Sequence, residues 1–87
     1  MTRLDAIHAA IATLEPETYT LEDESAQHAG HAGAASGGGH YRLTLVSPRF
    51  RELNTLARHR LVYAAMGELM HREIHALSIT ALTPEEL

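Results

Sequence analysis

The chain has no cysteine, no lysine and no tryptophan, and Phe50 is its only phenylalanine. Without cysteine there is no disulfide staple, no thiolate nucleophile and no metal site built from the chain's own thiolates. The same absence leaves redox arguments silent about its compartment. With only Phe50 and three tyrosines for aromatic bulk, the core has to come from Leu, Ile, Val, Ala and Met. No apolar run approaches the roughly 20 residues that a membrane-spanning helix needs. The opening "MTRLDAIHAAIATLEPE" carries Asp5 and is interrupted by Pro16. It reads as an amphipathic helix and not as a secretory signal or an Arg-rich transit peptide. A soluble cytoplasmic protein with no membrane contact is expected. Catalytic signatures are missing too: the Gly37-Gly38-Gly39 run has no helix after it, as a phosphate-binding loop would require. Glu85 and Glu86 are explained by helix capping, and no enzyme activity is expected.

What is present is 87 residues, enough for one domain with a modest core. Eleven acidic residues face seven basic ones, for a formal charge of -4. An acidic chain repels phosphate overall, and nucleic-acid affinity comes largely from neutralising phosphates. The charge is uneven, however. Arg49, Arg51, Arg58 and Arg60 fall close together, while the stretch from Glu15 to Glu24 is acidic. Seven histidines are many for this length, and imidazole titrates near neutrality.

Leu4, Ile7, Ile11 and Leu14 recur at helical spacing, with Thr2 and Asp5 placed to cap the start and Pro16 to end the segment. "TYTLEDE" alternates, which predicts a half-buried strand showing Tyr19 and Leu21 on one face. Apart from Gln27, residues 25–39 are Ala, Gly, Ser and two His, the composition of a flexible loop. A loop of that length in so small a domain is more often functional or disordered than idle. "YRLTLVS" alternates again and predicts a second strand paired antiparallel with the first. After a turn at Ser47-Pro48, the longest helix is expected to begin by about Asn54 within the segment that ends at Glu73, with Val62, Met66 and Leu69 in one stripe. "IHALSITAL" follows as a third strand, and "TPEEL" opens a last helix with a capping box. The order α-β-β-α-β, with a final α stub, predicts a single α+β domain over residues 1–87. It has two layers, a three-stranded sheet with helices on one face.

"HYRLTLVSPRF" (40–50), "RHRLVYAAMGEL" (58–69) and "IHALSITALTPEE" (74–86) resemble the BolA family, as does "ESAQHA" (24–29). The resemblance covers nearly the whole chain. It implies a class II KH-like fold and partnership with a monothiol glutaredoxin. The pair would bridge a glutathione-containing [2Fe–2S] cluster, in iron–sulfur trafficking or iron sensing. Some bacterial members are described as transcriptional or morphology regulators. The resemblance assigns one cluster ligand to the histidine of "HAL", here His75. It assigns a second to the loop, where His28 matches and His31 is the alternative. The usual loop carries Pro and a Ser-Glu or Ser-Asp before the strand, whereas this one reads "AGAASGGG". A chain without thiols can offer such a cluster only nitrogen or oxygen, so the sulfur has to come from partner and glutathione. The isolated chain is therefore expected to hold no cluster, and to be a monomer that forms a heterodimer with its partner.

The other histidines carry plainer expectations. His40 opens the second strand as a strand-end hydrogen bonder, His59 is structural within its helix, and His8 is a surface residue. His71 and His75 have the spacing of a helical zinc pair, but Ile74 onward reads as strand. "GHAG" (30–33) formally matches the GxxG clamp of KH domains, yet it lies between strands instead of helices. Arg49, Arg51, Arg58 and Arg60 are the candidates for contacting a partner protein or DNA. The alternative function is thus a DNA-binding regulator using that segment. A third is a zinc or copper binder using the loop histidines.

Overall fold

The computed structural model describes residues 2–25 and 39–87. Helix α1 spans Arg3–Ala12. Its start is capped as the sequence suggests: the Asp5 N–H donates to Thr2 Oγ1 and the Thr2 N–H donates to Asp5 Oδ2, both at 3.1 Å. Ile7, Ile11 and Leu14 are buried, but Leu4, expected in the same stripe, stays exposed at the edge. The helix stops at Ala12, and Glu15 takes a positive φ of 53° as the chain turns into strand β1, Thr18–Asp23.

Strand β2 spans Gly39–Val46 and lies between β1 and strand β3, Ile74–Leu82. β1 and β2 are antiparallel, with Leu21 opposite Leu43 and Asp23 opposite Tyr41. β2 and β3 run parallel, because the chain between them crosses over through the helical layer. Tyr41, Leu43 and Leu45 of β2 are buried while Arg42 between them is exposed, which is the period of a sheet covered on one side. On the uncovered side Thr20, Thr44 and Thr80 stand in register across all three strands.

Between β2 and β3 come a 3₁₀ turn at Pro48–Phe50, helix α2 (Thr55–Met66, capped by the Asn54 side chain) and the short helix α3 (Leu69–Arg72). The single long helix expected here is thus broken in two. Gly67 supplies the break: its φ is 55°, a conformation that glycine tolerates and other residues rarely adopt. Val62 and Met66 of α2 meet Ile7 and Ile11 of α1, the inner face of β2, Phe50 and Ile74 in one apolar core. Buried Ser47 closes the bottom of that core, its hydroxyl donating to the Leu14 carbonyl at 2.6 Å. The last segment, Pro84–Glu86, is one 3₁₀ turn carrying the expected Thr83–Glu86 capping box. The fold is the α+β two-layer arrangement read from the sequence.

The loop expected over residues 25–39, with its candidate ligands His28 and His31, falls mostly on residues 26–38. Those lie outside the described residues. Its far end needs a correction. Gly39 is not loop but the first residue of β2, buried, with the Tyr41 ring lying where a Cβ would project.

Candidate metal centre

β1 ends, and β2 and β3 begin, at one end of the sheet. There the parallel pairing of β2 with β3 slips. Gly39 is opposite Ile74, but His40 is opposite Ala76, so His75 is the extra residue of a β-bulge. A bulged residue drops out of the ladder and is aimed differently from its neighbours. Ile74 next to it is buried in the core, whereas His75 is exposed. The change of period at this point in the sequence therefore marks a bulge that turns one imidazole outward.

The rim around His75 is held by hydrogen bonds. The Gly39 N–H donates to the Glu73 carbonyl at 3.1 Å, and the Glu24 N–H donates to the His40 carbonyl at 2.7 Å. The His40 N–H donates to Ser25 Oγ at 3.0 Å. The Ser25 N–H in turn donates to Asp23 Oδ1 at 2.9 Å, and these contacts hold the Asp23 carboxyl below its ordinary range. Glu73 is joined to Arg3 at 3.1 Å. Ser25 and Gly39, which flank the segment carrying His28 and His31, are thus both anchored at the His75 end.

His40 forms the backbone hydrogen bonds expected of it. Its ring does something the sequence reading missed: it lies beside His75, with centroids 4.9 Å apart and planes inclined at 42°. The two residues are distant in sequence, and only the parallel pairing with its slip joins them. A histidine heading each of two strands is a signal readable only once those strands are known to be adjacent. Among the described residues, no cluster of three or more His, Cys, Asp or Glu is placed to hold a metal ion. His75 and His40 are nitrogen donors, and no thiol is present. A metal group held at this rim would draw no thiolate from this chain. The other described histidines, His8, His59 and His71, lie in the helices. His8 Nδ1 is 2.8 Å from the Tyr19 hydroxyl, and His71 is exposed on α3.

The arginines of the 49–60 segment do not share this rim. Arg58 Nε and Nη1 donate to the carbonyls of Leu53 and Ala81, at 2.8 and 3.0 Å. Its Nη1 also lies 2.6 Å from Glu86 Oε1. Ala81 is at the far end of β3, six residues beyond His75, roughly 20 Å along a strand. Arg51 is paired with Glu85, and Arg49 with Glu15 at 3.7 Å. Arg60 is exposed and, among the described residues, makes no ion pair. The turn joining α2 to α3 holds a single glycine, Gly67, followed by acidic Glu68. The uncovered sheet face presents threonines in place of the aromatic side chains on which bases stack. No helix among the described residues is long and apolar enough to cross a membrane.

Comparison with known proteins agrees with this architecture. The profile of the BolA-like protein family matches residues 11–86. Protein BOLA1, chloroplastic, of Arabidopsis thaliana is 43% identical over 76 residues, covering 84% of this chain and 48% of that protein. The chain thus spans about half the length of that relative. The solved BolA domain of SufE1 from Arabidopsis thaliana superposes with a TM-score of 0.85 at 36% identity, covering 100% of this chain and 98% of that one. The DNA-binding transcriptional regulator BolA of Haemophilus influenzae is 32% identical over 72 residues, covering 83% of this chain and 67% of that protein. With chloroplastic and bacterial members, the family is not tied to one compartment. The chain belongs to the BolA-like family.

Proposed function

We propose that this BolA-like chain is an adaptor that docks a monothiol glutaredoxin and shares a glutathione-containing [2Fe–2S] cluster with it. His75 is one ligand from this chain, and His28, or alternatively His31, is the other. The observation that carries the reading is the β-bulge, which takes His75 out of the ladder and leaves its imidazole exposed at the sheet end. His28 follows Ser25 by three residues, a span of at most about 10 Å. Ser25 is itself bonded to His40 at this rim.

The cluster is cargo, and its own chemistry is one-electron transfer at a potential that imidazole ligation raises relative to all-thiolate ligation. This chain's contribution is to hold nitrogen donors ready. In the absence of thiols it takes no cluster alone. The role is trafficking or iron sensing without catalysis by this chain.

The name of the Haemophilus relative favours a second reading, DNA binding through the 49–60 segment. It has less support here. Arg49, Arg51 and Arg58 already face carboxylates of the same chain, which leaves Arg60 as the segment's unpaired cation among the described residues.

The test is visible circular dichroism of a glutathione-loaded [2Fe–2S] monothiol glutaredoxin on adding this chain. A new spectrum, lost with His75→Ala and altered with His28→Ala, is expected. No change with the wild-type chain would remove the adaptor role. Salt-dependent DNA binding that weakens in Arg60→Ala and survives His75→Ala would establish the second reading.

A further inference from the structure

We infer that the outer edge of β3 pairs with the same edge of a second copy of this chain, antiparallel about a twofold axis at Ser78, in a weak homodimer. With the sheet order β1-β2-β3, β3 is an edge strand. Its sequence IHALSITAL has no proline and no Asp, Glu, Lys or Arg, the residues with which edge strands usually discourage pairing. The bonds to β2 fix which of its groups face outward. The Ser47 N–H donates to the Leu82 carbonyl at 2.9 Å, which turns Leu82 toward β2. Backbone groups of alternate residues face the same side, so Ser78 and Thr80 also bond toward β2 while Leu77, Ile79 and Ala81 face outward. The outward Ala81 carbonyl accepts from Arg58 Nη1 at 3.0 Å. Among the described residues, the outward N–H and carbonyl groups of Leu77 and Ile79 have no hydrogen-bond partner.

The open stretch is closed symmetrically. His75 bulges out of the ladder at one end and Arg58 covers Ala81 at the other, each three residues from Ser78. That symmetry selects the occupant. Turned about an axis at Ser78, a second copy offers the same window, residues 76–80, in the opposite direction. Leu77 then stands opposite Ile79 of the second copy, and Ile79 opposite its Leu77. Each such pair exchanges two hydrogen bonds, and no outward group of Leu77 or Ile79 is left over. Both side chains are half-buried against their own core, and the crossed apolar pairs cover more of them. On the uncovered face Ser78 meets Ser78 and Ala76 meets Thr80, small side chains at the more closely spaced positions. No charged side chain lies in the window. An unrelated extended peptide finds the same bonds, but nothing there selects its length or register. The contact is far smaller than the roughly 800 Å² per partner of a standard interface, so the pair is weak. It revises, at high concentration, the monomer expected of the isolated chain.

The axis puts Ser78 opposite itself, which supplies the test. Sedimentation equilibrium of the chain alone over about 0.01–1 mM should show a reversible dimer, as suits so small an interface. Ser78 is exposed, so Ser78→Lys and Ser78→Glu leave the core untouched. Each sets like charges face to face and should weaken dimerisation about fivefold. An equimolar mixture of the two variants should recover it as a mixed dimer. A wild-type chain that stays monomeric throughout that range would overturn the pairing. So would a dimer indifferent to both substitutions, or a mixture no stronger than either variant alone.

A measurement on wild type keeps the test independent of variant folding. Amide exchange at Leu77 and Ile79 should slow as concentration rises, whereas Ser78 and Thr80, bonded to β2, should exchange slowly throughout. Protection of Leu77 and Ile79 that does not change with concentration refutes the pairing. No glutaredoxin or cluster takes part, so failure here leaves the adaptor reading standing, and the reverse.

Discussion

Arg58 and Glu86 are bonded at 2.6 Å, joining the first turns of α2 to the last turn of the chain. The same guanidinium holds the Leu53 and Ala81 carbonyls, and its side chain is only 14% exposed. A residue that looked like a surface cation in the sequence is a structural clamp. Arg58→Ala leaves two carbonyls without their charged donor, at a cost of about 2 kcal/mol. Urea unfolding should show that loss, and a stability unchanged within 0.5 kcal/mol, roughly the scatter of neutral surface changes, would count against the clamp. Arg60→Ala, on an exposed helix position, is expected to be neutral by the same measurement.

The acid limb of the stability curve follows from the same end of the molecule. The Arg58 guanidinium and the Thr83 N–H hold Glu86 down from its ordinary 4.5 to about 2. Arg51 lowers Glu85 in the same direction. A carboxylate whose folded pKa lies below its unfolded value stabilises the fold fully above the unfolded value. That contribution is lost as pH falls through the folded one. The melting temperature should therefore drop between about pH 4.5 and pH 2, and Glu86→Gln should flatten that slope. Both carboxylates are solvent-exposed, so added salt should shrink the effect. Equal slopes in wild type and Glu86→Gln would show that the pair does not couple to folding.

Gly39→Ala tests the close approach at the head of β2. A Cβ there meets the buried Tyr41 ring, whose room to move is limited by the core around it. Overpacking of this kind costs about 1–3 kcal/mol. Thermal melts should show the loss, and Tyr41→Leu in the same chain should recover part of it. Additive losses in the double variant would place the strain elsewhere.

His75→Ala is expected to leave stability within about 0.5 kcal/mol, because the side chain is exposed and its residue lies outside the regular ladder. This makes it a clean probe of metal chemistry. A large fall in melting temperature would mean that the imidazole packs as structure, and metal losses in that variant would then say nothing about ligation.

Much of the fold was legible because it depends on near neighbours. Thr2 and Asp5 are three residues apart and cap one another whatever the rest of the chain does. The alternation of Tyr41, Leu43 and Leu45 and the turn at Ser47-Pro48 are equally local. The break at Gly67 was locally encoded but hidden, because the apolar stripe of Val62, Met66 and Leu69 continues through it. Periodicity does not register a single change in backbone conformation.

By itself, then, the sequence determined the order of helices and strands, that the chain offers a metal no thiolate, and that His75 stands where the backbone changes period. Only the tertiary structure decided that β2 and β3 run parallel with a one-residue slip, that His40 lies beside His75, and that Arg49, Arg51 and Arg58 are turned toward carboxylates. The reason is range. Helix caps and strand alternation are settled by contacts a few residues apart. Register, ring pairs and ion pairs are settled by which distant surfaces the core draws together.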